Sequence, residues 1–502
     1  MASRSSLRAR AALAIALMAL FYALAIGAIV GCVGLGGYVL DGLDAAQDHG
    51  PTLRWLLGIS CVIVGGVIAW SIMPRPDRFQ PPGPELTAAD APALFAEIQR
   101  LAQQTGQAAP ARVYLSGKVN AFVARRGGFM GFGSRRVMGI GLPLLALLGV
   151  DELRAVLAHE HGHGSRGEVA LGPWIYRARG AVFRSVDRLG RVGNTFASEG
   201  EGRLGVLIKV LAVVRAPFHW FALGFTRMTQ PISEAQERTA DALAARVVGP
   251  GALVEGLQKV GPGTRAFRAY VDTEVTPALD RGLRPPIVAG FLAFLATDQG
   301  RGALEAGPDE ARAHEPVDPH DAHPSLRERI SAFPDAAPPA DRRPAIELLG
   351  DIAGHEARLL DALYKRELHA IAWPDVAARV HVPQMRDEVE RARASLADLT
   401  PATLPRDPVA LLARLRDEVR GEASACVAAA ERIFGAALLI ALVDAGGAPT
   451  REIAQAVVVR VADEDVDPFA QVRRYLIGEI EPDAWLAWVT RLGIADTRLD
   501  RG

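Results

Sequence analysis

The sequence predicts an α+β protein in three parts: a transmembrane helical hairpin over residues 1–80, a mainly helical domain with a small β-sheet over 81–338, and a helical domain over 339–502. Three observations carry this. Two long runs near the start hold no charged residue, short strand-like segments between glycine-rich turns follow an amphipathic helix pattern, and the last third repeats apolar residues at helical spacing. With 50% hydrophobic and 23% charged residues, the 502-residue chain is too apolar to be disordered. The 56 Lys plus Arg against 57 Asp plus Glu leave a net charge of −1, so no global field recruits nucleic acid and no nucleic-acid partner is expected. Cys32, Cys61 and Cys426 are odd in number and far apart, which argues against a disulfide framework or a cysteine metal site.

The hairpin comes first. Ala11 to Leu40 is uncharged over 30 positions, more than the ~30 Å hydrocarbon core needs at ~1.5 Å per residue, and far beyond the ~7–15 apolar residues of a cleavable leader. Trp55 to Met73 is a second uncharged run, 19 positions long. Helices are expected at about 12–39 and 54–73. Arg4, Arg8 and Arg10 precede the first span, Arg75 and Arg78 follow the second, and Asp41, Asp44 and Asp48 lie between. The positive-inside rule then places the N-terminus and everything after residue 75 in the cytoplasm. The membrane expected to hold the hairpin is a cell inner membrane.

Next, the Pro-rich stretch Pro74 to Pro84 reads as a linker. Leu94, Ile98 and Leu101 mark a helix that ends near Gly106, and strands are expected at Arg112 to Leu115, Val119 to Val123 and Val137 to Ile140. Asp151 to His163 forms an amphipathic helix, with Asp151 as N-cap, Leu153, Val156 and Leu157 on its buried stripe, and Gly164 at its end.

The chemistry lies on that helix, in His159-Glu160-His161-Gly162-His163. His159 and His163 are four apart, so both imidazoles leave one face about a turn apart, as two ligands of a tetrahedral zinc require. Glu160 can reach a water between them as general base, whereas His161 points some 200° away from His159 and reads as a bystander. A third ligand must come from elsewhere. Pro231 to Gln236 has the pattern of a helix start, with Ser233 as N-cap and Gln236 completing a capping box. Glu237 and Asp241 follow at i, i+4. Two like charges at that spacing need a positive partner, which is either a metal with its histidines or the nearby Arg238 or Arg246.

Leu153 to His163, followed by Glu237-Arg238-Thr239-Ala240-Asp241, with Asn120-Ala121-Phe122 before and His323-Pro324 and Arg329-Ile330 after, resembles the membrane zinc endopeptidases that include HtpX and the CAAX prenyl proteases. The resemblance covers roughly residues 85–335. It implies a zincin-like metallopeptidase domain holding one Zn²⁺ per chain on His159, His163 and Glu237. It further implies that Asp241 and Arg329 support those ligands, that Asn120, Ala121 and Phe122 form a substrate-binding edge strand, and that His323 sits near the scissile carbonyl oxygen. The chain departs from the family at Glu234, where an Arg is usual, and at Glu168, where Asp is common. The implied partners are a polypeptide substrate and the lipid bilayer.

Between the two motifs, Tyr176 to Arg191 carries five Arg interleaved with Val182, Phe183, Val186 and Leu189, fit either for an anionic leaflet or for a solvated helix. Leu204 to Phe225 is apolar, but Lys209, Arg215, Pro217 and His219 favour an interfacial or half-buried helix over a crossing. In the last third, Ile433 to Val443 is too short to span and reads as a core helix, and His355, His369 and His381 lack the paired spacing of ligands. An alternative function is a membrane adaptor acting through residues 339–502. Glu160 speaks against it, since an adaptor needs no general base.

Overall fold

The computed structural model describes residues 4–41, 51–73, 77–128, 133–163, 205–305, 325–415 and 423–500. Helix α1 spans Arg4–Asp41 and α2 Pro51–Ile72. Within them Ile15–Asp41 and Arg54–Ile72 are long and apolar enough to cross a membrane. Glycines bring the two together: a Cβ on Gly36 would meet the Gly58 carbonyl oxygen at 2.9 Å, and one on Gly65 would meet Val33 at 3.0 Å. Small residues at such crossings let apolar helices pack backbone to backbone. Leu20, Leu24, Ile26 and Val30 of α1 remain exposed, a surface suited to lipid.

Strand β1 (Glu85–Leu86), helix α3 (Pro92–Gln104) and strands β2 (Arg112–Ser116), β3 (Ala121–Arg126) and β4 (Arg135–Gly141) follow. The sheet order is β1-β2-β4-β3, with β2 parallel to β4 and β3 antiparallel to it, so β3 is an edge. Gly141 ends β4 where a Cβ would collide with the Lys118 carbonyl, and the chain turns there into α4 (Leu142–Leu147).

Helix α5 runs Val150–Gly162, and its start differs from the expected Asp151 cap. Gly149 is the N-cap, and the Glu152 carboxylate accepts its N–H at 2.9 Å. Asp151 instead makes long-range bonds, accepting the backbone N–H groups of Ala340 and Asp341 at 3.1 and 2.7 Å. Arg154 completes the clamp, reaching Glu97 of α3 at 2.6 Å, Asp151 at 2.6 Å and Asp341 at 3.3 Å. A sequence pattern reports local caps, and these partners lie up to 190 residues away.

Helix α6, Gly205–Val248, is continuous through Pro217 and Pro231. The helix start expected at Ser233 is therefore absent, and Ser233 lies in the helix interior. Proline removes one intrahelical hydrogen bond, a loss that tertiary packing can outweigh. Here Phe225 and Ile232, each 1% exposed, pack beside Leu17 and Met18 of α1. Further up, Phe218 and Ala222 pack on Phe21, Ala25, Val64 and Ile68 of the hairpin, while Val213 and Trp220 stay exposed. From Val213 to Phe225, α6 thus lies half-buried along the hairpin, and its second half enters the domain below.

That domain is closed by α7 (Pro250–Tyr270), the parallel strands β5 (Leu283–Arg284) and β6 (His369–Ala370), α8 (Ile287–Leu295), α9 (Leu326–Ser331) and α10 (Ile352–Leu363). Its hydrophobic core runs from Leu86 to Leu368, so Ala345, Leu349, Leu359 and Leu360 pack with it although they lie beyond residue 338. A second core begins at Ala377 and runs to Leu499 around α11 (Ala423–Asp444), whose residues Ile433 to Leu442 are all buried as a core helix. This part is not wholly helical. Strands β7 (Ala448–Thr450), β8 (Val458–Val461) and β9 (Glu464–Val466) form an antiparallel sheet ahead of α12 (Pro468–Leu476) and α13 (Pro482–Arg491). The two cores are joined by Arg451, whose guanidinium grips the buried Glu274 carboxylate with one contact of 2.9 Å.

Candidate metal centre

Two helices build the site. His159 in the last turn of α5 and His163, the residue that caps its C-terminus, stand one turn apart with their rings edge to face, and their Nε2 atoms are 3.1 Å apart. From α6, Glu237 brings Oε2 to 3.4 Å from His159 Nε2 and Oε1 to 3.5 Å from His163 Nε2. Ligand bonds of ~2.0–2.1 Å at tetrahedral angles place donor atoms ~3.3–3.4 Å apart. The two nitrogens and the carboxylate therefore have the spacing of three corners around one tetrahedral cation, and imidazole with carboxylate suits zinc. The donor atoms of Glu160, His159 and His163 lie within 4.8 Å of one another, which puts the Glu160 carboxylate beside this triangle.

The surroundings orient these donors. Asp241, one turn after Glu237 on α6, brings Oδ1 to 2.9 Å from His159 Nδ1, so the ring donates its N–H there and leaves Nε2 free to coordinate. Arg329 of α9 donates to both Asp241 oxygens, at 2.9 and 2.6 Å, and stands 3.9 Å from Glu237. Glu237 and Asp241 are 4% and 3% exposed, whereas the His163 side chain is 31% exposed and marks the open side. Burial lowers the tendency of His159 to carry a proton, yet Asp241 and Glu237 outweigh it and raise its pKa to about 9. Burial likewise works against the Asp241 carboxylate, and its bonds from His159 and Arg329 hold it below the usual range. The pocket is built to stabilise positive charge at His159.

His161, fully buried, turns the other way and places Nδ1 2.9 Å from the Leu157 carbonyl oxygen. Burial, with Arg136 next, pushes it down to about 4, so it stays neutral under the sheet. Asn120 is exposed at the entry to β3, Ala121 is buried, and Phe122 lies over Gly139 of β4. Among the described residues β3 pairs with β4 alone, so its outer edge is open. The structure thus brings His159, Glu160, His163, Glu237, Asp241 and Arg329 together. His323 and Pro324, Glu168 and the arginine-rich stretch 176–191 lie outside the described residues.

The sequence pattern misses one determinant. A Cβ on Gly162 would meet Ala240 Cα at 2.8 Å and its Cβ at 2.9 Å, so α5 and α6 touch backbone to backbone between the histidines and the acids. The available signal was a glycine and an alanine inside the two motifs. Gly162→Ala should force the helices apart, cost about 1–3 kcal/mol and weaken metal binding without removing a ligand. Zinc titration of the stripped variant against wild type checks this.

Residues 88–336 match the profile described as peptidase family M48. Over this stretch the chain belongs to that family of metallopeptidases. It is similar to a "Protease HtpX homolog" of Trichormus variabilis, 27% identical over 48% of this chain and 82% of the relative. Proteins of the same description from Pyrococcus abyssi and Desulforapulum autotrophicum are 31% and 30% identical, each over 35% of this chain. The chain spans just over half the length of those two, 58% and 56%. No solved structure matches the chain significantly.

Proposed function

We propose that this protein is a membrane-anchored zinc endopeptidase, HtpX-like, that hydrolyses membrane or membrane-proximal polypeptides and serves protein quality control. The observation that carries the reading is the triangle of His159, His163 and Glu237 donor atoms with the Glu160 carboxylate beside it. His159, His163 and Glu237 would hold one zinc ion. When bound, zinc supplies a Lewis acid for the scissile carbonyl and acidifies water. Glu160 takes a proton from the attacking water and returns it to the leaving amine. Asp241 keeps the His159 ring in its coordinating tautomer, and Arg329 holds Asp241 in place. The open edge of β3, from Asn120 to Phe122, would receive the substrate as an added strand, so that main-chain bonds fix the scissile bond. From the resemblance alone, His323 is the donor to the developing oxyanion.

Helices α1 and α2 are the anchor, with the catalytic domain on the cytoplasmic face of the inner membrane, a side supported by the arginines that flank both spans. Residues 339–502 have no chemistry assigned. The test is cleavage of an unfolded or membrane-embedded polypeptide by the full chain in detergent. A chelator should abolish it and stoichiometric zinc restore it, whereas cleavage indifferent to the chelator would sink the reading.

A further inference from the structure

We propose that the arginines near the tip of the β3–β4 hairpin are a docking surface for the anionic phospholipid headgroups of the bilayer that holds α1 and α2. The inference rests on the membrane part of the proposed function and is independent of the peptidase part. Strand register sets Arg126 opposite Arg135 on one face of the hairpin and Arg125 opposite Arg136 on the other, since successive strand residues point to opposite faces. Like charges directly opposite one another weaken a sheet, so this arrangement favours an anion from outside. Arg125, Arg126 and Arg135 are exposed. Arg136 turns inward, with Nη1 3.2 Å from Gln107 Oε1. Ser134 holds Arg125 in place, its hydroxyl at 3.1 Å and its carbonyl at 3.0 Å. The ion pair these arginines make among the described residues is the loose 3.9 Å contact of Arg126 with Asp77.

Asp77 also fixes where the patch lies. Its N–H donates to the Gly128 carbonyl at 2.9 Å, and its carboxylate accepts the Gly127 N–H at 3.0 Å. Helix α2 ends at Ile72, five residues earlier, and five residues reach at most ~18 Å. This end of the hairpin is therefore stitched to the chain just where the second span leaves the bilayer. Arg78, also exposed, stands next to the stitch. Charges in that layer lie within about a Debye length of the lipid phosphates, ~10 Å at 0.1 M salt, and the planar guanidinium matches phosphate oxygens in pairs. Docked there, the patch would orient the open edge of β3 toward the membrane surface, where an emerging polypeptide arrives.

The experiment is amide hydrogen exchange of the full chain, without substrate, in nanodiscs of phosphatidylcholine alone or of phosphatidylcholine with phosphatidylglycerol. Exchange in 124–128 and 133–136 should slow by about threefold or more in the anionic discs, and the slowing should vanish at high salt. It should also vanish in Arg126→Gln/Arg135→Gln and persist in Arg126→Lys/Arg135→Lys, with α5 exchange unchanged as the check on folding. Equal exchange in both lipids, or slowing that survives the Gln variant, would overturn the proposal. Slowing caused by an acidic peptide in neutral discs, and not by phosphatidylglycerol, would assign the arginines to a polypeptide instead. No cleavage is measured, so failure here and failure of the peptidase reading are told apart.

Discussion

Glu160→Gln should retain its zinc and its fold and lose about 10²–10⁴-fold in turnover, the range a positioned general base supplies. That loss corresponds to about 3–5 kcal/mol of transition-state stabilisation. The carboxylate follows His159 directly and lies within 4.8 Å of the two histidine donors, and His159, His163 and Glu237 supply three donors without it, which is why zinc should stay. Glutamine has the same shape and can hydrogen-bond, but it cannot take a proton from water at neutral pH. Single-turnover cleavage with matched zinc content measures the effect. Bound zinc with equal inactivity in both proteins would favour a membrane adaptor over an enzyme.

Arg329→Ala should destabilise the peptidase domain by about 3–5 kcal/mol, because it strips the guanidinium from an acid buried on α6. Asp241 is 3% exposed and takes two of its bonds from Arg329. At roughly 2–4 °C per kcal/mol for a domain of this size, melting should fall by about 10 °C. Chelator-treated protein should show the effect most clearly, since no cation then offsets the acids. Arg329→Lys should recover part of the loss, lacking the planar fork that spans both oxygens. The double variant Arg329→Ala/Asp241→Asn should melt higher than Arg329→Ala alone, because the orphaned charge is gone. Unchanged melting of Arg329→Ala would contradict this account of the acidic pair.

Much of the architecture was legible because its causes are local. The two uncharged runs, the i, i+4 histidines of α5 and the apolar run of α11 each depend on residues close in sequence, and the helices lie where those patterns place them. What was illegible depends on distant partners. Pro231 and Ser233 spell a helix start, yet Phe225 and Ile232 find α1 and the helix runs on. Asp151 spells an N-cap, yet it serves the backbone at Ala340 and Asp341. Residues 345–368 fold back into the first core, which no local pattern announces. The role of Gly162 depends on Ala240 lying against it, 78 positions later in the chain.

Zinc K-edge X-ray absorption of the purified full chain tests the central claim most directly. The account predicts about one zinc per chain with two imidazole nitrogens and at least one carboxylate oxygen at ~2.0–2.2 Å, and loss of that signal in Glu237→Ala. A chain that cleaves without zinc, or that binds zinc with no imidazole in the inner sphere, would contradict it.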